Sequence, residues 1–146
     1  MDDAAQRRMA AELEVRNLLA RVQHMVDRGT LEEYLALFTD DAVWTNPGDP
    51  SRATPADERA GKAAIRAGVE ERRAAGIQGP GTHSQHVNGT LAIRFEDDDR
   101  AVVDSYFQYY TGIGSAPTLA VVGRYEHTVV RTPQGWKIAR RDIHFD

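Results

Sequence analysis

The chain has no cysteine. That excludes a disulfide framework, a thiolate nucleophile and a cysteine-ligated zinc or iron–sulfur centre. No apolar run approaches the roughly 18 residues of a membrane-spanning helix. The first residues, Met1 to Arg8, lead into a charged amphipathic helix and lack a signal-peptide apolar core. A cytoplasmic location with no membrane partner is therefore expected. Lysine plus arginine is 18 against 22 for aspartate plus glutamate, a net charge of −4 with the basic residues scattered. That argues against nucleic acid as a partner.

Several chemical motifs are missing as well. There is no phosphate-binding glycine loop, and Gly112-Ile113-Gly114-Ser115 lacks the strand–turn–helix setting such a loop needs. There is no Gly-x-Ser-x-Gly nucleophile motif. The histidines His24, His83, His86, His127 and His144 have no spacing that makes a metal site. No metal and no cofactor are implied, which leaves a small-molecule substrate as the expected partner.

What is present is 146 residues with 41% hydrophobic content. That suits one domain over residues 1–146 with a core and a small internal cavity. From Ala4 to Asp27 the pattern is helical, with Leu13, Leu18, Leu19, Val22, Met25 and Val26 on one face. Gly29 is a stop signal. Thr30 opens a second helix with Glu33 completing a capping box. Leu31, Leu35 and Phe38 continue it to Asp40-Asp41, and Ala42 to Thr45 reads as a short strand. Residues 46–61 read as loop, and a third helix runs from Lys62 to Ala75.

The remainder alternates long strands with tight connections. The strands are His83 to Phe95, Ala101 to Thr111, Thr118 to Arg131 and Trp136 to His144. Helices first and a meander last predict an α+β fold, a curved and mainly antiparallel sheet wrapped around N-terminal helices.

Each candidate functional residue has a plainer reading beside the chemical one. Asp27 at a helix C-terminus faces the negative end of the dipole, so either a specific partner favours it or it is a solvated turn residue. His83 and His86 point to opposite faces of a regular strand, which argues against a two-histidine metal clamp. His86, Asn88 and Thr90 share one face, as a pocket wall or as ordinary surface. On the next strand Ser105, Phe107, Tyr109 and Thr111 oppose Asp104, Tyr106, Gln108 and Tyr110. Aromatics lie on both faces, so periodicity does not choose the inner one. Gly123 beside Tyr125 and His127 makes room for a ligand or marks a sheet bend. Arg140 and Arg141 point to opposite faces, and one of them could meet an anionic group or a developing oxyanion.

Three segments carry a resemblance. They are Val26-Asp27-Arg28-Gly29 with Leu37 to Trp44, then Thr82 to Asn88, then Gly123-Arg124-Tyr125 with Gly135 to Arg141. In this order the chain resembles the SnoaL-like branch of the nuclear transport factor two-like superfamily. That branch includes scytalone dehydratase, hexachlorocyclohexane dehydrochlorinase and bile-acid dehydratase.

The resemblance implies a cone-shaped α+β barrel with one deep apolar pocket, and a homodimer formed through the outer sheet face. It implies a catalytic aspartate at Asp27 and a catalytic histidine at His86, with His83 as the alternative. It places Phe107, Tyr109, Tyr125 and His127 toward the pocket, and Trp44, His83, Asn88 and Arg141 complete the expected substrate-binding set. Thr111, Gly123 and Tyr125 depart from the scytalone dehydratase pattern, which argues against scytalone as the substrate.

The implied activity is that of a lyase of the dehydratase type, an isomerase or a polyketide cyclase. A histidine base held by an aspartate would act on a cyclic, aromatic or polyketide-like compound. The alternative is a non-catalytic domain that binds a small ligand or assembles like a dioxygenase beta subunit. A third possibility, an epoxide hydrolase, needs more pocket carboxylates than Asp27 alone.

Overall fold

The computed structural model describes residues 2–146, with Arg52 described by its backbone only; Met1 lies outside the described residues. Helix α1 spans Asp3–Arg28, and its N-cap Asp2 accepts from the Ala5 N–H at 2.7 Å. Its buried stripe is Ala11, Val15, Leu18, Leu19, Val22 and Val26, at three- and four-residue spacing. Leu13 stands off that stripe and is exposed. Helix α2, Leu31–Leu35, follows with the expected capping box. The Thr30 hydroxyl accepts from the Glu33 N–H, and the Glu33 carboxylate accepts from the Thr30 N–H at 2.8 Å.

Helix α2 is shorter than its sequence spacing suggests. The chain is already in strand β1, Phe38–Asn46, where the sequence predicted helix through Asp41. The reason is tertiary. The Ile138 N–H donates to the Leu37 carbonyl at 2.9 Å, and Phe38 pairs with Ile138 at full burial. A parallel ladder thus overrides a local helical spacing. The stretch 46–61 also holds more structure than loop. It contains a 3-10 turn, Pro50–Arg52, and an edge strand β2, Asp57–Ala60, that pairs antiparallel with β1. Asp-Glu-Arg-Ala has no strand propensity, so pairing alone makes this strand.

Helix α3 spans Lys62–Ala74 and buries Ile65, Gly68 and Val69. Four long strands complete the chain: β3 Gln85–Phe95, β4 Arg100–Thr111, β5 Thr118–Thr132 and β6 Gly135–His144. They form one sheet in the order β2-β1-β6-β5-β4-β3, antiparallel except for the β1–β6 pair. This is the expected α+β cone, although the sheet stays open rather than closing into a barrel. Helix α1 packs on β3 and β6, and α3 packs on β1.

Burial decides the face that periodicity left open. Ser105, Phe107, Tyr125 and His127 face inward, whereas Tyr106 on the opposite face is 61% exposed. The core gathers Val15, Leu19 and Val22 from α1 with Phe38, Ile65, Val103, Val129 and Ile138.

Candidate active site

The C-terminus of α1 is fixed from two sides. The Arg73 guanidinium on α3 donates to the carbonyls of Met25 (3.2 Å) and Gly29 (3.0 Å). The Met25 carbonyl also accepts the capping Gly29 N–H at 3.0 Å, and a cation at this helix end suits the dipole. Gly29 ends the helix, and a Cβ at that position would sit 2.6 Å from the Met25 sulfur. Asp27 is therefore carried on a firmly capped turn.

Both oxygens of Asp27 meet one residue. Oδ2 accepts from the His86 backbone N–H at 2.9 Å, and Oδ1 lies 2.6 Å from His86 Nδ1. The two side chains are 13% exposed. An ionised carboxylate only accepts, so Nδ1 carries the hydrogen and the neutral ring has its lone pair at Nε2. Among the described residues Nε2 has no protein partner, and the ring lies on the wall of a cavity. His86 stands second in β3 and packs against Tyr109 at a 45° tilt, 4.8 Å between ring centroids.

That cavity has a volume of about 280 Å³ and sits between the helices and the concave sheet face. Trp44, Phe107, Tyr109 and Tyr125 give it aromatic walls. Phe107 and Tyr125 stack at 4.3 Å and 18°. Gly123 makes that stack possible, because a Cβ there would lie 2.6 Å from the Phe107 ring. The space beside this glycine is thus filled by a neighbouring ring, which is neither the ligand room nor the sheet bend expected from the sequence. The Tyr109 hydroxyl donates to the Ile77 carbonyl and ties the segment after α3 to the sheet.

Arg141 closes the inner end. It is 3% exposed, its Nη1 donates to the Tyr34 hydroxyl at 3.3 Å, and its guanidinium lies 4.1 Å over the Tyr125 ring. Burial works against its charge, but Tyr125 and Tyr34 hold the guanidinium above its ordinary value, so it stays cationic. Burial raises the Tyr125 hydroxyl above its ordinary value, against the opposing pull of Arg141, so Tyr125 is a proton-bearing donor.

Four of the expected catalytic and substrate-binding residues do not line this cavity: Asp27, which lies behind His86, and His83, Asn88 and His127. His83 precedes β3 with φ of 52° and lines an adjoining cleft, which also reaches Asp27 and His86. Asn88 pairs with Phe107 in the ladder, and its buried amide has no partner among the described residues. His127 is fully buried beneath Tyr125, 5.2 Å between rings, and among the described residues neither of its nitrogens has a partner. Burial, reinforced by the charge of Arg141, pushes His127 well below its ordinary value.

With the site assembled, comparison places it. The model of the SnoaL-like domain matches residues 7–142. The chain belongs to this family. No curated protein matches it closely enough to report. Among solved structures, an NTF2-like protein with a cystatin-like fold from Novosphingobium aromaticivorans is 25% identical, with a TM-score of 0.80. That match covers 100% of this chain and 92% of the other. A protein from Catenulispora acidiphila in complex with S-DNPA is 27% identical with a TM-score of 0.74, covering 92% of each chain. A provisionally named scytalone dehydratase from Novosphingobium aromaticivorans is 21% identical. Its TM-score is 0.73, over 95% of this chain and 86% of that one, and at this identity the likeness shows the fold alone.

Among the residues on the cavity wall of this SnoaL-like domain that sequence reasoning missed are Tyr34, Arg72 and Gln78. Tyr34 is buried, and its spacing from Leu31 and Leu35 was the available signal. Arg72 lies on a helix whose composition reads as solvated, Glu70-Glu71-Arg72-Arg73, and nothing there separates it from Arg73. Gln78 sits in a connection, where no periodicity exists to read.

Proposed function

We propose that this SnoaL-like domain is an acid/base enzyme that needs no cofactor, a dehydratase or a related isomerase or cyclase. Its substrate is a small cyclic or aromatic compound bearing a carbonyl group. The observation that carries this reading is the double hydrogen bond between Asp27 and His86, with Nε2 of the ring free at the cavity wall. A domain that only binds or assembles has no need of a carboxylate spent wholly on one histidine.

The chemistry is a β-elimination. His86 Nε2 takes the proton from the carbon next to the carbonyl. The electron pair of that C–H bond forms the new C=C bond, and the C–O bond to the β-hydroxyl breaks. The leaving oxygen takes the proton back from the imidazolium and departs as water. Asp27 holds the tautomer and stabilises the imidazolium charge. Tyr125, which keeps its proton, would donate to the carbonyl oxygen as negative charge develops there.

A direct test uses 3-hydroxy-1-tetralone, whose dehydration gives 1-naphthol after tautomerisation. Incubation in deuterated buffer is expected to give naphthol absorbance, with deuterium appearing at C2 of the recovered substrate. If neither product nor exchange exceeds the buffer rate across a panel of cyclic β-hydroxy ketones, the elimination reading is lost.

The outer sheet face supports a homodimer as part of the same proposal. Val87, Tyr106, Leu119 and Val122 are exposed large apolar side chains on β3, β4 and β5. Light scattering is expected to give twice the chain mass, and Tyr106→Lys to reduce it to one. A monomeric wild type at tens of micromolar would remove the dimer from the proposal.

A further inference from the structure

The cavity has an electrostatic asymmetry that the elimination mechanism does not require. Two of its lining residues are permanent cations, Arg72 and Arg141. Each guanidinium lies over a cavity aromatic, Arg72 at 4.5 Å from the Trp44 ring centroid and Arg141 at 4.1 Å from that of Tyr125. Arg72 is carried by α3, and Trp44 on β1 is in register with Arg141 on the adjacent strand β6. Among the described residues, neither guanidinium pairs with a carboxylate. Arg141 Nε is buried with no partner at all. Asp49 also reaches the cavity, and its carboxylate accepts from the Ser51 N–H and hydroxyl. Asp27 is turned onto His86.

Buried cations are normally paired, because an uncompensated charge in a poorly hydrated site is costly. Here burial pushes the Arg72 guanidinium below its ordinary value, Arg141 and Arg59 push the same way, and Tyr34 and Asp57 offset this only in part. An anion between the two would remove both penalties. Arg141 spends Nη1 on the Tyr34 hydroxyl, and its Nε has no partner among the described residues. The N–H edge of a guanidinium fits the planar, two-oxygen geometry of a carboxylate.

We propose that Arg72 and Arg141 form a carboxylate clamp, so that the cavity selects an aromatic or cyclic substrate already carrying a carboxylate group. The proposal rests on the cavity described above and deepens the substrate class. The clamp and the dyad are separate groups, so each can fail alone. The clamp binds the substrate in its ground state, apart from any oxyanion formed during reaction.

Calorimetric titration with 1-naphthoate and its neutral isostere 1-naphthamide tests this. The wild type is expected to bind naphthoate at least about 10-fold more tightly, with the preference shrinking at high salt. Arg72→Gln and Arg141→Gln are each expected to weaken naphthoate by about 10- to 100-fold, the range for one charge-assisted contact, and to leave naphthamide nearly unchanged. Arg72 is only partly buried, so its variant tests the clamp even if Arg141→Gln fails to fold. His86→Ala is expected to keep the preference for naphthoate. Equal binding of the two ligands, parallel losses of both in the arginine variants, or no measurable naphthoate binding would each overturn the clamp. A retained naphthoate preference with no deuterium exchange would instead overturn the dyad and leave the clamp standing.

Discussion

Asp27→Asn is expected to abolish turnover while the protein stays folded. The asparagine carbonyl can still accept from the His86 backbone N–H, so the link between α1 and β3 survives. What changes is the second contact, now 2.6 Å from carboxylate oxygen to Nδ1. An amide NH2 in that place donates to Nδ1 and forces the ring hydrogen onto Nε2. The base is then in the wrong tautomer, and no charge remains to stabilise the imidazolium. In a hydrolase triad the same substitution lowers kcat by about 10,000-fold. His86→Ala removes the base itself, and general-base catalysis contributes about 100- to 10,000-fold. Both variants are expected to lower kcat with little change in KM, because the lost interaction forms in the transition state. Naphthol release under saturating substrate gives the rates, and urea midpoints report on folding. Wild-type rates in both variants, with unchanged midpoints, would end the proposal that this pair carries the chemistry.

The site was legible in the sequence to an uneven degree, for physical reasons. The contact between Asp27 and His86 was signalled only by the resemblance of the short motifs that flank each; from the residues alone Asp27 read as partnered or as a solvated turn residue. The long strands were readable from alternation, and Lys62–Ala74 from its helical period. Phe38 to Asp41 was not readable. Its spacing fits the preceding helix, and only the pairing with Ile138, a hundred residues later, makes it strand. Edge strand β2 was invisible for a related reason, since its four residues favour no strand and take their form from β1. The inner face of β4 could not be found from period two, because Phe107 and Tyr106 are both aromatic. Only the burial of one and the exposure of the other separates them. His127 shows the opposite limit. The sequence places it on the pocket face, but Tyr125 and Phe107 stack between, so facing inward and reaching the cavity are different properties.

That buried position gives His127 a measurable consequence in acid. Burial and the neighbouring Arg141 charge hold it well below its ordinary value, so the folded protein keeps it neutral where the unfolded chain takes up a proton near pH 6.5. The unfolded state then binds more protons than the folded one at every pH between the two values. Stability therefore rises with pH in that window, and falls as pH drops below about 6.5. One proton gives a slope that approaches about 1.4 kcal/mol per pH unit inside that window. His127→Gln keeps a similar volume and polarity but cannot titrate. It is expected to be less stable than wild type at pH 7.5, because a flexible amide packs poorly beneath Tyr125, and to lose less stability on acidification. Urea unfolding at pH 7.5, 6.0 and 4.5 measures both terms, with the shared carboxylate contribution cancelling in the difference between the two proteins. Parallel pH profiles for wild type and variant would mean that the folded protein protonates this histidine as readily as the unfolded chain does. In that case water or a partner group reaches its ring, and the layer beneath the cavity floor is open rather than sealed.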